Sequence, residues 1–138
     1  MIEHNLDRLC AKYGYRFCQG VWERLNGKGK TVNHLTKSLG VLQENGVYAF
    51  FLYQPARESK NKEGQELAWL AAELLNQAGI SPFAGETGNI DARQALELVR
   101  RDRDGLATNL DNLLLAKRLL QQALIYARYH AKALPGGE

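Results

Sequence analysis

The 138-residue sequence contains few of the residues that cross-link small proteins or hold metal ions, with only two cysteines and three histidines. Cys10 and Cys18 are eight residues apart in a stretch of helical periodicity. This spacing separates them by about 12 Å along a helix axis. Because a disulfide bond requires a shorter distance, both cysteines are predicted to be small core residues.

Long apolar runs are also absent. The longest uncharged apolar stretch, Val47–Tyr53, is far too short to cross a bilayer. The first seven residues include acidic side chains and form no continuous apolar segment, which argues against a signal peptide. We therefore expect a cytoplasmic protein without a membrane partner.

No group of residues has the spacing of a catalytic or cofactor site. His4, His34 and His130 are isolated from one another, and His34 is expected to be solvated on the outer or intermediate side of its helix. Gly29–Thr31 is similar to the end of a phosphate-binding loop, but Arg24 stands where that loop requires its first glycine. The sequence therefore predicts neither a metal nor a cofactor, and the protein is not expected to be an enzyme.

One acidic segment provides an enzymatic alternative. Glu63, Glu66 and Glu73 follow one another in a predicted helix and could act as paired carboxylates, with Glu63 and Glu66 holding the metal of a nuclease. The same spacing is common in soluble helices, and no basic residue nearby in the sequence is an evident partner for them. We therefore expect no nuclease activity.

What the sequence does contain is helical periodicity, which is strongest in its last long run, 109–134. Further helices are predicted over 3–25 and 63–78. Two more are predicted to begin at a cap residue, one running from Thr31 to Asn45 and one from Asp91 to about Arg103. The apolar run Val47–Tyr53 is predicted to be a short buried helix that ends at Gln54-Pro55. The chain is thus predicted to be all-α, a single compact bundle of five or six helices forming one domain over 1–138. The tail 135–138 is expected to fray.

The long last helix is predicted to be the centre of the bundle because apolar residues lie on more than one of its sides. Its main buried face is predicted to comprise Leu110, Leu113, Leu114, Leu120, Leu124, Ala127 and Ala131. A second apolar row comprises Leu115, Leu119, Ile125, Tyr126 and Tyr129.

The net charge of +3 is small but unevenly distributed. Residues 1–45 carry +3, residues 46–90 carry −2 and residues 91–138 carry +2. Cations on helical surfaces without an aromatic platform suit contact with a phosphate backbone more than the reading of bases. The candidate backbone-binding residues are Arg16, Arg24, Lys28, Lys30, Lys37, Arg101, Arg103, Lys117, Arg118, Arg128 and Lys132. Lys28 and Lys30, in a predicted glycine turn, are the strongest candidates.

The order of predicted helices over nearly the whole chain resembles that of the small subunit of Cmr-type, type III-B CRISPR effector complexes, and two segments carry matching motifs. The first, 39–52, reads Leu-Gly-Val-Leu-Gln-Glu-Asn-Gly-Val-Tyr-Ala-Phe-Phe-Leu and matches a family pattern of a helix, an Asn-Gly step and an apolar-aromatic helix. The second is the closing helix, in which the family carries aromatic residues, a basic pair and alternating alanines. The corresponding residues are Tyr126, Arg128, Tyr129, His130, Ala131 and Ala133. Tyr126 stands for the family's tryptophan, Tyr129 for one basic residue and His130 for the second aromatic.

The resemblance implies a non-catalytic subunit acting in antiviral defence. Family members stack head to tail as an inner filament along a guide-RNA-bearing backbone, so the expected partners are the backbone and large subunits, further copies of this chain, and the guide and target RNAs. Their basic surface faces the guide–target duplex. The related small subunit of Csm-type complexes is one alternative. Another is a helix-turn-helix DNA-binding regulator with Val32–Leu42 as its recognition helix, in which Asn33, His34 and Lys37 would read bases.

Overall fold

The computed structural model describes residues 2–86, 88 and 90–136, with side chains described from Leu6 onward, and every regular element in these residues is helical. The elements are α1 (Ile2–Leu25), α2 (Lys28–Asn45), α3 (Val47–Arg57), α4 (Glu63–Gln77), α5 (Ala92–Arg100), a short 3₁₀ helix (Leu106–Thr108) and α6 (Leu110–Lys132). The predicted all-α bundle with a long C-terminal helix is thereby confirmed. The predictions for the side chain of His4, for Thr87 and Asn89 in the α4–α5 connection, and for Gly137 and Glu138 in the tail fall outside the described residues.

Helix α6 is the centre of the bundle and packs most extensively against α1, then against α2. Small and apolar residues alternate along its inner side. They are Ala116, Leu119, Leu120, Ala123, Leu124, Ala127 and Ala131, all buried. The buried apolar residues of all six helices form one contiguous core. None of the described helices combines the length and the apolar character needed to cross a lipid bilayer.

The predicted buried face of α6 is wrong at its beginning. Leu110 and Leu114 are 66% and 55% exposed, because α2 ends at Asn45, near Lys117, and the first turns of α6 extend beyond it. Tyr129 in the second apolar row is 71% exposed as well. Periodicity alone identified the helix but not the point at which its neighbour ends.

Two glycines inside α1 mark close approaches between helices. A Cβ atom on Gly14 would lie 2.5 Å from the Cβ of Tyr126 on α6, and one on Gly20 would lie 2.9 Å from the Cδ1 of Leu70 on α4. The conformational cost of glycine in a helix is therefore offset at Gly14 by the close backbone of α6 and at Gly20 by the packed side chains of α4. These contacts explain why α1 continues through both residues.

The predicted start of α2 is also wrong. The helix begins at Lys28 after the N-cap residue Gly27, and Thr31 is buried inside it rather than capping it. The Thr31 hydroxyl donates a hydrogen bond to the Gly27 carbonyl at 2.7 Å, so it is satisfied within the helix. Lys28 and Lys30 consequently lie in a helical first turn and not in a flexible glycine turn.

The ends of α3 and α5 differ from the predictions too. Helix α3 continues through Pro55 to Arg57, and its Gln54 side chain is fully buried and hydrogen bonded, which holds the helix at the position where proline was expected to end it. Helix α5 ends at Arg100, because Arg101 leaves the helical conformation as the C-cap residue and pairs with Asp104 in the following turn.

Cys10 and Cys18 are free and buried, as predicted. Burial raises the pKa of each thiol to about 11, and the charge of Asp7 adds to this effect at Cys10. The Cys10 Sγ lies 3.6 Å from the carbonyl oxygen of Leu119. Both residues therefore serve as small core side chains between α1 and its neighbours.

Candidate nucleic-acid interface

Three of the predicted backbone-binding arginines are held by carboxylates of the chain itself. Arg16 lies 3.4 Å from Glu73, and Arg24 lies 3.2 Å from Glu66. Arg101 donates two hydrogen bonds to Asp104, at 2.9 and 3.0 Å. These ion pairs neutralise much of the charge that the arginines would present to a phosphate. The acidic helix α4 thus has basic partners on α1 that sequence proximity did not reveal.

Two further predicted residues fasten α6 to α2. The Lys117 ammonium group donates to the carbonyl oxygen of Gln43 at 3.2 Å, and the Arg128 guanidinium donates to the hydroxyl of Thr36 at 2.9 Å. From the first of these contacts to the second, residue numbers increase along α6 and decrease along α2. The two helices are therefore antiparallel. The C-terminal end of α6 therefore lies at the same end of the bundle as the N-terminal end of α2.

The remaining predicted cations have no ion-pair partner within the part of the chain that the structure describes. They are Lys28, Lys30, Lys37, Arg103, Arg118 and Lys132. Arg103 lies in the turn after α5, and Arg118 is exposed on α6 beside Asp7 and Cys10 of α1. Lys28, Lys30 and Lys132 lie where α2 begins and α6 ends, and we refer to these three residues as the α2–α6 basic end.

The backbone adds to the positive character of this end. Gly27, the N-cap residue of α2, provides no side-chain cap for the first amides of the helix, and the first turn contains no acidic residue. The first amides of a helix and its dipole favour an anion. Lys28 and Lys30 therefore flank a helix terminus that already attracts negative charge.

An open groove between α2 and α3 lies beside this end and has a volume of about 580 Å³. We call it the α2–α3 groove; its lining is Leu25, Lys30, Asn33, His34, Lys37, Gly40, Val41, Glu44, Tyr53, Arg57 and Glu63. Arg57 lies beyond the predicted end of this helix at Gln54-Pro55, but it is the last residue of α3 and adds a third cation to this lining. The groove thus brings together two predicted cations, Lys30 and Lys37, with one that the sequence did not indicate.

The structure places His34 in the interior, which corrects its predicted position in solvent. Only 7% of the residue is exposed, and its Nε2 lies 2.9 Å from the Oε1 of Gln54. The Gln54 amide nitrogen donates in turn to the hydroxyl of Ser38 at 3.0 Å. Burial lowers the pKa of His34 below 6.5, against the opposing effects of the Gln54 hydrogen bond and of the charges on Glu63 and Glu58.

Glu63, the first residue of α4, is also buried, with 4% exposed. Its two carboxylate oxygens accept hydrogen bonds from the hydroxyl and the backbone N–H of Ser59, at 2.6 and 2.9 Å. Burial alone would raise the pKa of Glu63, but these hydrogen bonds outweigh it and the net pKa lies below 4.5. Both oxygens of the carboxylate therefore have partners within the chain.

Acid is expected to destabilise the protein through His34. The pKa of His34 in the folded chain is lower than the unfolded value of 6.5, so the unfolded chain binds the proton more readily. The contribution of neutral His34 to the free energy of unfolding is therefore complete above pH 6.5 and is lost as the pH falls toward the folded pKa. Urea unfolding between about pH 7.5 and pH 5 should show a decreasing free energy of unfolding, and His34→Gln should flatten this dependence. The matched control is His130→Gln, which removes an exposed histidine and leaves the contacts of His34 intact, so the pH dependence due to His34 should remain. An unchanged slope for His34→Gln would assign the acid sensitivity to other groups.

The sequence did carry a signal for the buried polar residues. Thr31, His34 and Ser38 lie at the same helical spacing as the buried leucines 35, 39 and 42, so all six share one face of α2. Gln54 gave no comparable signal, because a polar residue before proline is typical of a loop. Of the buried hydrogen-bonded side chains that connect α2 and α3, those on α2 could therefore be predicted from the sequence pattern and Gln54 on α3 could not.

No family model, curated protein or solved structure matches this chain. The function is therefore inferred from the arrangement of side chains described above and from the two sequence segments that carry a resemblance.

Proposed function

We propose that the chain is a non-catalytic small subunit of a type III-B CRISPR effector complex, in which copies stack as an inner filament and contact the backbone of the guide–target RNA duplex. The similarity of residues 39–52 and of α6 to the Cmr-type small subunit supports the family. The first segment spans the end of α2, the Gly46 break and the first six residues of α3. Tyr48 and Leu52 in this segment are exposed, whereas its other large apolar residues are mostly buried: Leu39, Leu42, Val47, Phe50 and Phe51. The resemblance therefore concerns mainly the residues that build the fold.

The proposed RNA contact depends on one observation, the α2–α6 basic end. Lys28, Lys30 and Lys132 have no carboxylate partner among the described residues, in contrast to Arg16, Arg24 and Arg101. Lysines beside an uncapped helix start suit a phosphate oxygen, and they carry no means of distinguishing bases. This end is therefore the surface that we assign to the RNA backbone.

A small number of phosphate contacts makes a single copy a weak RNA binder. Each neutralised phosphate adds a salt-dependent increment to the affinity. When several copies are fixed in one assembly, the contacts act together and the retention of RNA increases without any new contact. The proposal therefore predicts weak binding by the isolated chain and strong retention in the complex with the backbone and large subunits.

The segment 58–73 carries four glutamates, but their contacts give little support to a model in which copies stack through this segment against a basic neighbour. Glu66 and Glu73 are paired with Arg24 and Arg16, and Glu63 is buried against Ser59. A surface whose carboxylates already have partners attracts a basic neighbour only weakly. The same engagement of Glu63 and Glu66 favours a structural role for α4 over the nuclease alternative.

The helix-turn-helix alternative loses one of its three base-reading candidates. His34 is buried and hydrogen bonded to Gln54, which leaves Asn33 and Lys37 exposed on α2. Sequence-specific binding of duplex DNA by the isolated chain would favour that alternative. Co-purification from the native host separates the Cmr-type and Csm-type assignments, because each predicts a different set of backbone proteins.

Removing the lysines of the basic end should weaken RNA retention. We expect Lys28→Gln with Lys132→Gln to lower retention of RNA by the assembled complex and to reduce the slope of log affinity against log salt by about one for each phosphate that a lysine no longer neutralises. Filter binding over a salt series measures both quantities. The thermal unfolding temperature should not change, since neither lysine has a partner in the described residues to lose.

The control variant carries the same loss of charge elsewhere. Lys60→Gln with Lys62→Gln changes two exposed lysines before α4 and should leave both retention and salt slope unchanged. If the two double variants had equal effects, the lysines of the basic end would contribute only through the overall charge of the protein and not through a specific contact. Full retention after the Lys28 and Lys132 changes would remove this end from the RNA interface.

A further inference from the structure

The floor of the α2–α3 groove contains a histidine whose hydrogen-bonding role is determined by its neighbours. The Gln54 amide nitrogen donates to the Ser38 hydroxyl at 3.0 Å and to the Phe50 carbonyl at 3.4 Å, so the amide oxygen faces His34. The Nε2 of His34 must therefore donate to that oxygen across 2.9 Å. In the neutral ring, Nδ1 then carries the free lone pair.

This Nδ1 atom has no hydrogen bond from any residue that the structure describes, although His34 lines the groove. A neutral imidazole with one nitrogen committed offers a single acceptor through the other. The groove thus contains an acceptor for an N–H or O–H group that enters from outside. The Ser38–Gln54 chain holds the ring in this orientation.

The walls of the groove are suited to a flat ring. The Tyr53 side chain is half-buried in the lining, and its ring centroid lies 6.3 Å from that of His34. Leu25 and Val41 add apolar surface. Base–aromatic stacking is favourable for every nucleobase, because each has a π face.

The rim of the groove carries the charge that such a ring would need in order to be part of a nucleotide. Lys30, Lys37 and Arg57 line the groove and form no ion pair within the described residues. Of the two acidic residues in the lining, Glu63 has both oxygens engaged by Ser59 and Glu44 is exposed. The volume of about 580 Å³ lies in the usual range for small-molecule sites.

We propose that the α2–α3 groove binds a single nucleoside monophosphate, with its base against Tyr53, a base N–H donor on the Nδ1 of His34 and its phosphate between Lys30 and Arg57. Each common base presents at least one N–H donor, so this arrangement recognises the nucleotide class and only weakly the base. The site shares Lys30 with the α2–α6 basic end, but Tyr53, His34 and Arg57 lie outside that end, and the site belongs to the isolated chain.

Titration calorimetry with the isolated chain tests the site, using adenosine and uridine 5′-monophosphates as probes and adenosine and inorganic phosphate as partial ligands. The monophosphates should bind at least about tenfold more tightly than either partial ligand, because both halves of the site then contribute. Inorganic phosphate binding as tightly as the monophosphates would show a simple anion site and overturn the proposal. The absence of heat with both monophosphates at millimolar concentration would overturn it as well.

Variants separate the parts of the site from general charge. Tyr53→Leu, and Lys30→Gln with Arg57→Gln, should each weaken binding of the monophosphates about tenfold or more. The control Tyr48→Leu changes an exposed tyrosine on the same helix and should bind as the wild type does. Wild-type affinity in Tyr53→Leu would overturn the placement of the base.

The histidine is tested with a variant that preserves the buried network. His34→Gln keeps an N–H donor for Gln54 but replaces the ring Nδ1 by an amide oxygen in a different position, so it should weaken binding while urea unfolding at neutral pH shows a folded protein. Unchanged binding in the folded variant would contradict the role of Nδ1. Because Tyr53→Leu and His34→Gln leave all three lysines of the α2–α6 basic end unaltered, these two variants should lose nucleotide binding without losing RNA retention in the complex, which tells the two functions apart.

Discussion

Gly64→Ala is expected to destabilise the protein by about 3 kcal/mol or more, since over-packing against backbone cannot be relieved by a side-chain rotation. A Cβ on Gly64 would overlap the backbone carbonyl oxygen of Gln54 and would lie 2.9 Å from the Cβ of Glu58. Gln54 cannot move away freely, because its buried side chain is hydrogen bonded to His34 and Ser38. Helix α4 would have to separate from α3, which would expose their shared core. Urea or thermal unfolding measures the loss.

Gly40→Ala is the matched control for this effect. Gly40 lies inside α2, and a Cβ there would meet no atom within 4 Å. Alanine is favoured over glycine in helices, so this change should stabilise the protein by about 0.5 to 1 kcal/mol. If both variants lowered stability alike, close approach at Gly64 would not be the cause.

Phe51→Ala is expected to cost about 4 kcal/mol of stability through the cavity that it leaves. Phe51 is fully buried on α3 and stacks on Phe83 of the α4–α5 connection, with ring centroids 6.0 Å apart. Its ring also meets Phe50 edge to face, at 5.2 Å. Truncation would therefore remove two aromatic contacts as well as buried area. Chemical denaturation at neutral pH gives the free energy directly.

The neighbouring Leu52 supplies the control for Phe51. Leu52 is 49% exposed on the outer side of the same helix, so Leu52→Ala should change stability by less than about 0.5 kcal/mol. A large loss in Leu52→Ala would mean that α3 is sensitive to any truncation. A small loss in Phe51→Ala would mean that the core collapses around the missing ring.

Most of the helices could be predicted from periodicity, because burial of one face repeats every three or four residues along α1, α2, α4 and α6. The errors occurred where tertiary contacts decide. Pro55 lies inside α3 because the buried Gln54 holds the helix there, and Leu110 is exposed because α2 ends before it can cover the first turn of α6. Neither fact is encoded within a window of neighbouring residues.

The cations illustrate the same limit for the candidate site. Their positions on the helices could be predicted, but the carboxylates that pair with Arg16 and Arg24 lie 57 and 42 residues away in sequence. Arg57 joins the α2–α3 groove only because α3 extends past its proline. The acceptor on His34 depends on a hydrogen-bonded chain from α3, which a reading of α2 alone could not supply.

The two buried cysteines can be used to measure how often the folded protein opens transiently. With each thiol pKa raised to about 11 by burial, both sulfurs are almost fully protonated near neutral pH and shielded from reagents in the folded chain. A thiol-specific dye will therefore react only during excursions that expose α1, without any added label site. Measuring the rate of that reaction with and without a bound partner would show how strongly assembly suppresses this transient opening.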